Sequence, residues 1–495
     1  MLYFRMILII LVTLYTSRVI LNALGIEDYG LHNVVGGMVL MMSFLNNAMA
    51  TSTQRFLNFE MGRGDIQKLN RVFSMSVNIH LIIAIVVFLL LETLGLWFVN
   101  SQLNIPPHRM EAVIWVFHFS AASLLITIAA VPYHASIIAH EKMTVFAYIG
   151  IAEALLKLLV AFLITRIEGD SLKVYALLLF GVTGIVQIMY YLYSRINFKE
   201  SNYFFYWDTK LFKTLASFAG WSLFGSFSVV MKNQGVNVLL NIFFGPTVNA
   251  AKGISAQING ALSSFVQNFQ TALKPQMIKS YAAGDIRYHL QLAFSGAKYS
   301  YFLLLFLSLP ILLEMETILV FWLKNVPEFT TIFARLVVIS ALVDALSVTL
   351  VASIQATGKV KNYQIMIGSL FLVILPFSYL FFKLGFSPQS TYYVALVIFS
   401  IILVARLFLV KKQIDFAISD FLKFVFFKAL IVTICSIFLP FLVIYYFEPG
   451  FLRFFIVVIA SLVSTLFFTY FFGTEIEEKQ KVKLIFHNKI KNIIK

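Results

Sequence analysis

About fourteen windows of roughly twenty apolar residues follow one another along this chain, separated by short charged or Gly/Pro-containing breaks. A bilayer core takes about 20 apolar residues per helical span and offers the backbone no water, so each window has to satisfy its own hydrogen bonds as a helix. A β-barrel would instead show short alternating segments, and these runs are continuous. Composition agrees. The chain is 60% hydrophobic and 12% charged, with a mean hydropathy of +0.87, where soluble domains run about 45–50% apolar and about 25% charged. The expected fold class is all-α integral membrane.

The windows lie near 2–23, 29–53, 72–99, 110–138, 145–166 and 173–194, then 213–243, 246–272, 291–314, 330–355, 363–384 and 391–411, then 424–447 and 451–473. They are numbered here as spans 1 to 14. This gives an N-terminal six-helix bundle over 1–200, a C-terminal six-helix bundle over 201–423, an extra helix pair at 424–473 and a basic tail at 474–495. A shift of 220 residues puts Gly25 on Gly245, Ser43 on Ser263, Thr51 on Thr271 and Gly64-Asp65-Ile66 on Gly284-Asp285-Ile286, six matches in 42 aligned positions. Turn, span and loop coincide under that shift, so the two bundles read as parallel repeats, an even number of spans each.

The net charge of +15 would suit nucleic acid if it formed one patch, but it is spread through the loops of one side. With the N-terminus inside, 24 Lys/Arg fall on the cytoplasmic side and six outside (Arg109, Arg166, Lys173, Lys324, Lys383, Arg453), so both termini are expected in the cytoplasm. The single Cys435 excludes an intrachain disulfide. The opening MLYFRMILIILVTLY has no small-x-small cleavage site after it and reads as a retained first span. Mid-span prolines 132, 310, 376 and 440 are candidate kinks, or are absorbed by neighbouring helices.

No metal-ligand cluster, nucleotide-binding Gly loop or nucleophile elbow is present, so neither a cofactor nor an enzymatic activity is expected. The GRGD at 62–65 lacks the spacing of a phosphate loop and reads as a turn. The spans instead carry polar stripes. In span 8, Lys252, Ser255, Asn259, Ser263, Gln267 and Gln270 follow at steps of 3 or 4, one helical face over ~27 Å. In span 2, His32, Gly36, Ser43, Asn47, Thr51 and Gln54 hold the equivalent face, and span 7 adds Ser222, Ser226, Asn233, Asn237 and Asn241 beside Lys232. Such groups either bond helix to helix or line a wet cavity, and a stripe running a full span favours the cavity.

Intramembrane cations are functional candidates by default, which singles out Arg18, Lys232 and Lys252; the alternative is snorkelling to the interface. Lys157 has Glu153 one turn away and reads as a local pair. Asp344, mid-span in VISALVDALSV without a cation within a turn, is the candidate proton or sodium site, or else the partner of a lysine across the bundle.

The run LYTSRVILNALGIEDYGLHNVVGG followed by TQRFLNFEMGRGD, with six-plus-six spans and an extra pair, resembles the bacterial polysaccharide-biosynthesis flippases often called Wzx, which handle O-antigen and other lipid-linked oligosaccharides. They belong to the superfamily that also holds the multidrug and toxin extruders (MATE) and the lipid II flippase. The resemblance is concentrated in the first 75 residues; relatives usually carry a short polar or basic tail ahead of span 1, which is not seen here. It implies a MATE-like fold and transfer of undecaprenyl-pyrophosphate-linked oligosaccharide from the inner to the outer leaflet of the bacterial cytoplasmic membrane, driven by a proton or sodium gradient. Its implied partners are the lipid-linked oligosaccharide, membrane lipids and polysaccharide polymerase or chain-length machinery, with no nucleic acid. On this reading Arg18, Lys232 and Lys252 meet the pyrophosphate, and His32, Asn47, Asn237, Asn259 and Gln267 the glycan. Gly36-Gly37 and the small residues of span 8 would allow close sliding contact.

Three other readings compete. A cation-coupled drug exporter of the MATE class should have a cavity dominated by acids. A polymerase or ligase of the same pathway should have a large outer loop with paired catalytic groups. A scaffold would need no polar stripes.

Overall fold

A computed structural model describes residues 43–480 apart from 102–104, 167–168, 324–325 and 476–477, with residues 5, 8–9, 12, 15–16, 19–20, 22–25, 28–29, 31–32, 35–36 and 39 before them; the side chains of 43–48, 246, 247 and 250 lie outside the description. Among these residues all regular structure is helical. The helices are α1 (Ser43–Arg63), α2 (Ile66–Ser101), α3 (Pro107–Ala139), α4 (Met143–Leu163), α5 (Ser171–Asn197), α6 (Thr209–Phe244), α7 (Pro246–Ala282), α8 (Ile286–Leu313) and α9 (Met315–Leu323). After them come α10 (Thr330–Ala345), α11 (Val348–Thr357), α12 (Lys361–Lys383), α13 (Ser390–Gln413), α14 (Ile418–Tyr446) and α15 (Phe451–Gly473).

Ten described helices are long and apolar enough to cross a membrane, eleven if α10 and α11, bent by 42° at a short break, form one span. The expected total of about fourteen is not reached among the described residues. Span 1 and much of span 2 fall largely outside them, and α7, which is span 8, is excluded by its own polarity. Span 10 was expected to be continuous; it breaks after Ala345, where the Ser347 N–H turns back onto the Asp344 carbonyl at 3.0 Å. Span 8 was expected to stop near 272, yet α7 runs through Pro275 to Ala282, 37 residues and ~56 Å. Pro132, Pro310, Pro376 and Pro440 all lie inside helices that continue past them.

The duplication is visible in the backbone. Gly25 and Gly245 have φ of +79° and +81°, and Gly64 and Gly284 have +73° and +80°, left-handed turns that favour glycine. Ile66 opens α2 and Ile286 opens α8, the same 220-residue offset as in the sequence.

The chain divides into two compact units, Met1–Phe227 with Ile278–Asp285 and Gly358–Gln364, and Ser228–Met277 with Ile286–Thr357 and Ile365–Lys495. In the first, Val113, Val116 and Phe117 of α3 pack with Leu172, Val182 and Val186 of α5 in one apolar core. Asp170 caps α5 by accepting from the backbone N–H groups of Leu172 and Lys173 at 3.0 and 3.4 Å. The same carboxylate shares Arg109 with Asp28: Arg109 donates to Asp28 at 2.6 and 2.9 Å and to Asp170 at 2.9 and 3.0 Å. Burial pushes the Asp170 carboxyl up, but the hydrogen bonds from Arg109 and the helix N-terminus hold it below the usual carboxylate range.

At the other end of that unit, the expected GRGD turn is present. Gly64 makes the reversal and Asp65 caps α2 by accepting from the Lys68 N–H at 2.9 Å. Gly62 lies where a Cβ would come within 2.5 Å of the Lys279 carbonyl oxygen, and Lys279 pairs with Glu141 at 2.7 Å. The close backbone approach is therefore at Gly62; a Cβ on Gly36 would meet nothing nearer than 3.9 Å, and Gly37 lies outside the described residues.

In the second unit the extra pair, α14 and α15, and the segment just after it are tied to α8 and to Glu314 just past its end by polar groups at three levels. Arg453 pairs with the buried Glu314 at 2.9 Å, Tyr301 bonds Thr433 at 2.7 Å, and Lys298 pairs with Glu478 at 2.7 Å.

Candidate functional site

The second unit encloses a cavity of about 610 Å³ between α6, α7, α10, α12 and α13. Two adjacent helices supply most of its polar wall. From α6 come Lys232, Asn233, Gln234 and Asn237, and from α7 come Lys252, Asn259, Ser263, Gln267 and Gln270. The 3-and-4 spacing on α7 puts these groups on one face, and Gly253, Ala256 and Gly260 between them leave room beside the backbone. Ser255 is the exception within the expected stripe. It is buried in packing, with its hydroxyl donating to the Ala251 carbonyl at 2.6 Å.

Helices α6 and α7 are stapled by their own polar groups. The Lys252 ammonium donates to the Asn233 carbonyl at 2.5 Å, and the Asn249 amide donates to the Asn237 carbonyl and side-chain oxygens at 2.9 and 2.7 Å. Lys232 has no carboxylate within ion-pair distance among the described residues; its ammonium lies 5.2 Å from the ring centres of both Phe371 and Phe399, a cation–π pocket that holds the charge at the cavity wall.

Asp344 is the one acidic residue among the described lining side chains. It accepts from Arg406 of α13 at 2.6 Å, and the same guanidinium nitrogen donates to Ser347 at 2.9 Å. The carboxylate thus sits at the α10–α11 break, opposite a buried arginine, with a third of its side chain open to the cavity. Broken helices beside a ligand site are a recurring device of secondary transporters. Two further polar groups wait unpartnered among the described residues, the Gln270 amide nitrogen and the Tyr392 hydroxyl, both lining the same space. A buried donor left without a partner points to water or a ligand.

Six of the sequence-predicted residues therefore meet in one cavity: Lys232, Asn237, Lys252, Asn259, Gln267 and Asp344. His32 is in the first unit, half-buried against the Tyr175 ring at 4.8 Å between centres. Arg18 and the Asn47 side chain lie outside the described residues. Glu153 and Lys157 form the expected local pair at 2.6 Å. Sequence reasoning missed Arg406, although an arginine in IILVARLFLV carries the same intramembrane signal as Lys232. It also missed the two phenylalanines, because nothing in an apolar run marks which ring will face a cation.

No family model and no curated protein matches the chain. Solved structures do. An outward-facing multidrug resistance MATE family transporter of the MOP superfamily matches at 12% identity over 84% of this chain and 94% of that one, with a TM-score of 0.71. The MATE transporter ClbM in complex with Rb+ matches at 14% identity over 85% and 94%, TM-score 0.71. A MOP superfamily transporter from Pyrococcus furiosus, for which reverse polarity of the binding pocket suggests a different function, matches at 11% identity over 84% and 94%, TM-score 0.68. The chain has the fold of MATE transporters.

Proposed function

We propose that this chain is a flippase that moves undecaprenyl-pyrophosphate-linked oligosaccharide from the inner to the outer leaflet of the bacterial cytoplasmic membrane, by alternating access, for surface polysaccharide biosynthesis. The observation that carries the reading is the charge balance of the cavity. Lys232 and Lys252 present two ammonium groups, whereas the one described lining carboxylate, Asp344, is already engaged by Arg406. A cationic drug would meet net repulsion there, and an anionic head group would meet charge-assisted donors. The asparagines and glutamines of α6 and α7 suit a glycan, and the lipid tail can stay in the bilayer.

The second reading, a cation-coupled exporter of the MATE class, is favoured by the fold and by the partial opening of Asp344 to the cavity. Within this fold a reversed pocket polarity already suggests a different function for the Pyrococcus furiosus protein, and the cationic lining here argues the same way. A proton or sodium gradient would drive the cycle through Asp344, whose pairing with Arg406 an entering cation would have to loosen.

The test is equilibrium binding to the purified protein in nanodiscs of neutral lipid. Undecaprenyl pyrophosphate should bind at least about tenfold more tightly than undecaprenol, the range expected of one or two charge-assisted hydrogen bonds. Equal binding of the two lipids together with tight binding of a cationic dye would favour the exporter.

A further inference from the structure

The polar face of α7 does not end at Gln270. One step of four residues further is Lys274, so the stripe carries a cation at each end, Lys252 and Lys274, ~33 Å apart along the helix. Lys274 lines a second, smaller cavity of about 150 Å³, together with Gln270, Leu273, Met277, Val348 and Thr349 among others. That space lies wholly within the second unit, and it shares Gln270 and Val348 with the larger cavity. The two are consecutive chambers along one helix face.

Its chemistry is that of an anion site. The Lys274 ammonium has no ion-pair partner among the described residues, and the Gln270 amide nitrogen is buried without an acceptor at the boundary between the chambers. The Thr349 hydroxyl is already spent on the Ala293 carbonyl at 2.8 Å, so the free donors are the amine and the amide. Leu273, Met277, Val351 and Ala352 give the wall an apolar part beside the Gln355 side-chain amide, and that apolar part strengthens any charge pairing inside. The volume equals about five liquid waters, enough for a phosphate-sized group and too small for a sugar chain.

We propose that this chamber is a second anion station, which holds the pyrophosphate of the substrate at the inner end of the stripe before it passes to Lys232 and Lys252. The proposal rests on the flippase reading and adds a site to it. Ions then advance between two cationic stations past Gln270, Gln267, Ser263 and Asn259, whose neutral donors bridge the interval.

Pulse acylation of lysines, read by mass spectrometry, tests it in the full-length protein in neutral-lipid nanodiscs. Undecaprenyl pyrophosphate, inorganic pyrophosphate and undecaprenol are added separately to the wild-type protein and to the Lys232→Gln/Lys252→Gln variant. At ten times its dissociation constant, undecaprenyl pyrophosphate should slow acylation of Lys274 about tenfold in both proteins, and undecaprenol should leave it unchanged. Equal protection by inorganic pyrophosphate would mean that the anion alone suffices; protection only by the lipid form would mean a lipid head-group site. Unchanged Lys274 acylation with protected Lys232 and Lys252 in the wild type would overturn the second station and leave the flippase reading standing. Protection of Lys274 in both proteins, without protection of Lys232 or Lys252 in the wild type, would keep the station and remove the larger cavity as the substrate site.

Discussion

Arg406 and Asp344 are joined at 2.6 Å from α13 to the end of α10, at the point where span 10 breaks. Arg406 is 5% exposed and Asp344 opens partly to the cavity, so one partner is fixed in packing and the other is reachable from the substrate space. An acid that looked solitary in the sequence is half of an ion pair.

Breaking that pair from one side should cost more than removing it. Arg406→Met leaves Asp344 charged without its partner and is predicted to lose about 1–3 kcal/mol, while Arg406→Met with Asp344→Asn should recover most of the loss. Thermal unfolding in detergent measures both. If Asp344 also couples the ion, Asp344→Asn should bind undecaprenyl pyrophosphate as before yet lose the dependence of transport on pH or sodium; a retained dependence removes Asp344 from the coupling step.

How much of this was legible beforehand differs by element. Spans 3 to 7, 9 and 11 to 14 were readable because a bilayer imposes a minimum apolar length, and the repeat was readable because Gly25, Gly64, Gly245 and Gly284 each occupy a left-handed turn. The stripe on α7 was readable because helical periodicity puts residues spaced by three and four on one face. Pairing across helices was not. Neither the Arg406–Asp344 bond nor the ring pocket around Lys232 leaves a local trace, since their partners are 62 and more than 130 residues away in sequence. Lys274 was lost for a different reason: a basic residue after an apolar window reads as a loop, whereas α7 continues to Ala282.

The extra helix pair should depend on Arg453. Its partner Glu314 has a side chain only 1% exposed, so Arg453→Met strands a buried carboxylate, a change that costs about 3–5 kcal/mol where the pair is fully desolvated. Hydrogen exchange in α14 and α15 should rise while α3 and α5 keep their protection. Unchanged exchange in the pair would show that Tyr301–Thr433 and Lys298–Glu478 suffice to hold it.

Asp170 gives the first unit a defined acid sensitivity. Its folded pKa is depressed, so its contribution is complete above the unfolded value of about 3.9 and disappears as pH falls through the folded value. The stability difference between wild type and Asp170→Asn, which keeps a capping side chain, should therefore be constant from pH 7 to about 5 and shrink below about 4. A difference that already declines between pH 7 and 5 would assign the effect to another group.

Topology follows from the lysine and arginine bias. With Cys435 replaced by Ala, cysteines introduced at the exposed Lys68 and Ala283 should resist a membrane-impermeant thiol reagent in intact cells, and one at the exposed Ser387 should react. Reaction at Lys68→Cys or Ala283→Cys would invert the assignment of the inner face.

The central claim is that the cavity cations carry an anionic lipid-linked substrate, and transport itself tests it most directly. A flippase-null strain carries Lys232→Gln/Lys252→Gln, or the corresponding Lys→Arg pair, at matched protein levels, and lipid-linked oligosaccharide in the inner leaflet is measured. The Gln pair should accumulate substrate and fail to complement, the Arg pair should restore at least part of the transport, and adding Arg18→Gln to the Gln pair should deepen the defect. Full complementation by the triple Gln variant would contradict the account, because the cations would then serve only to anchor their helices at the interface.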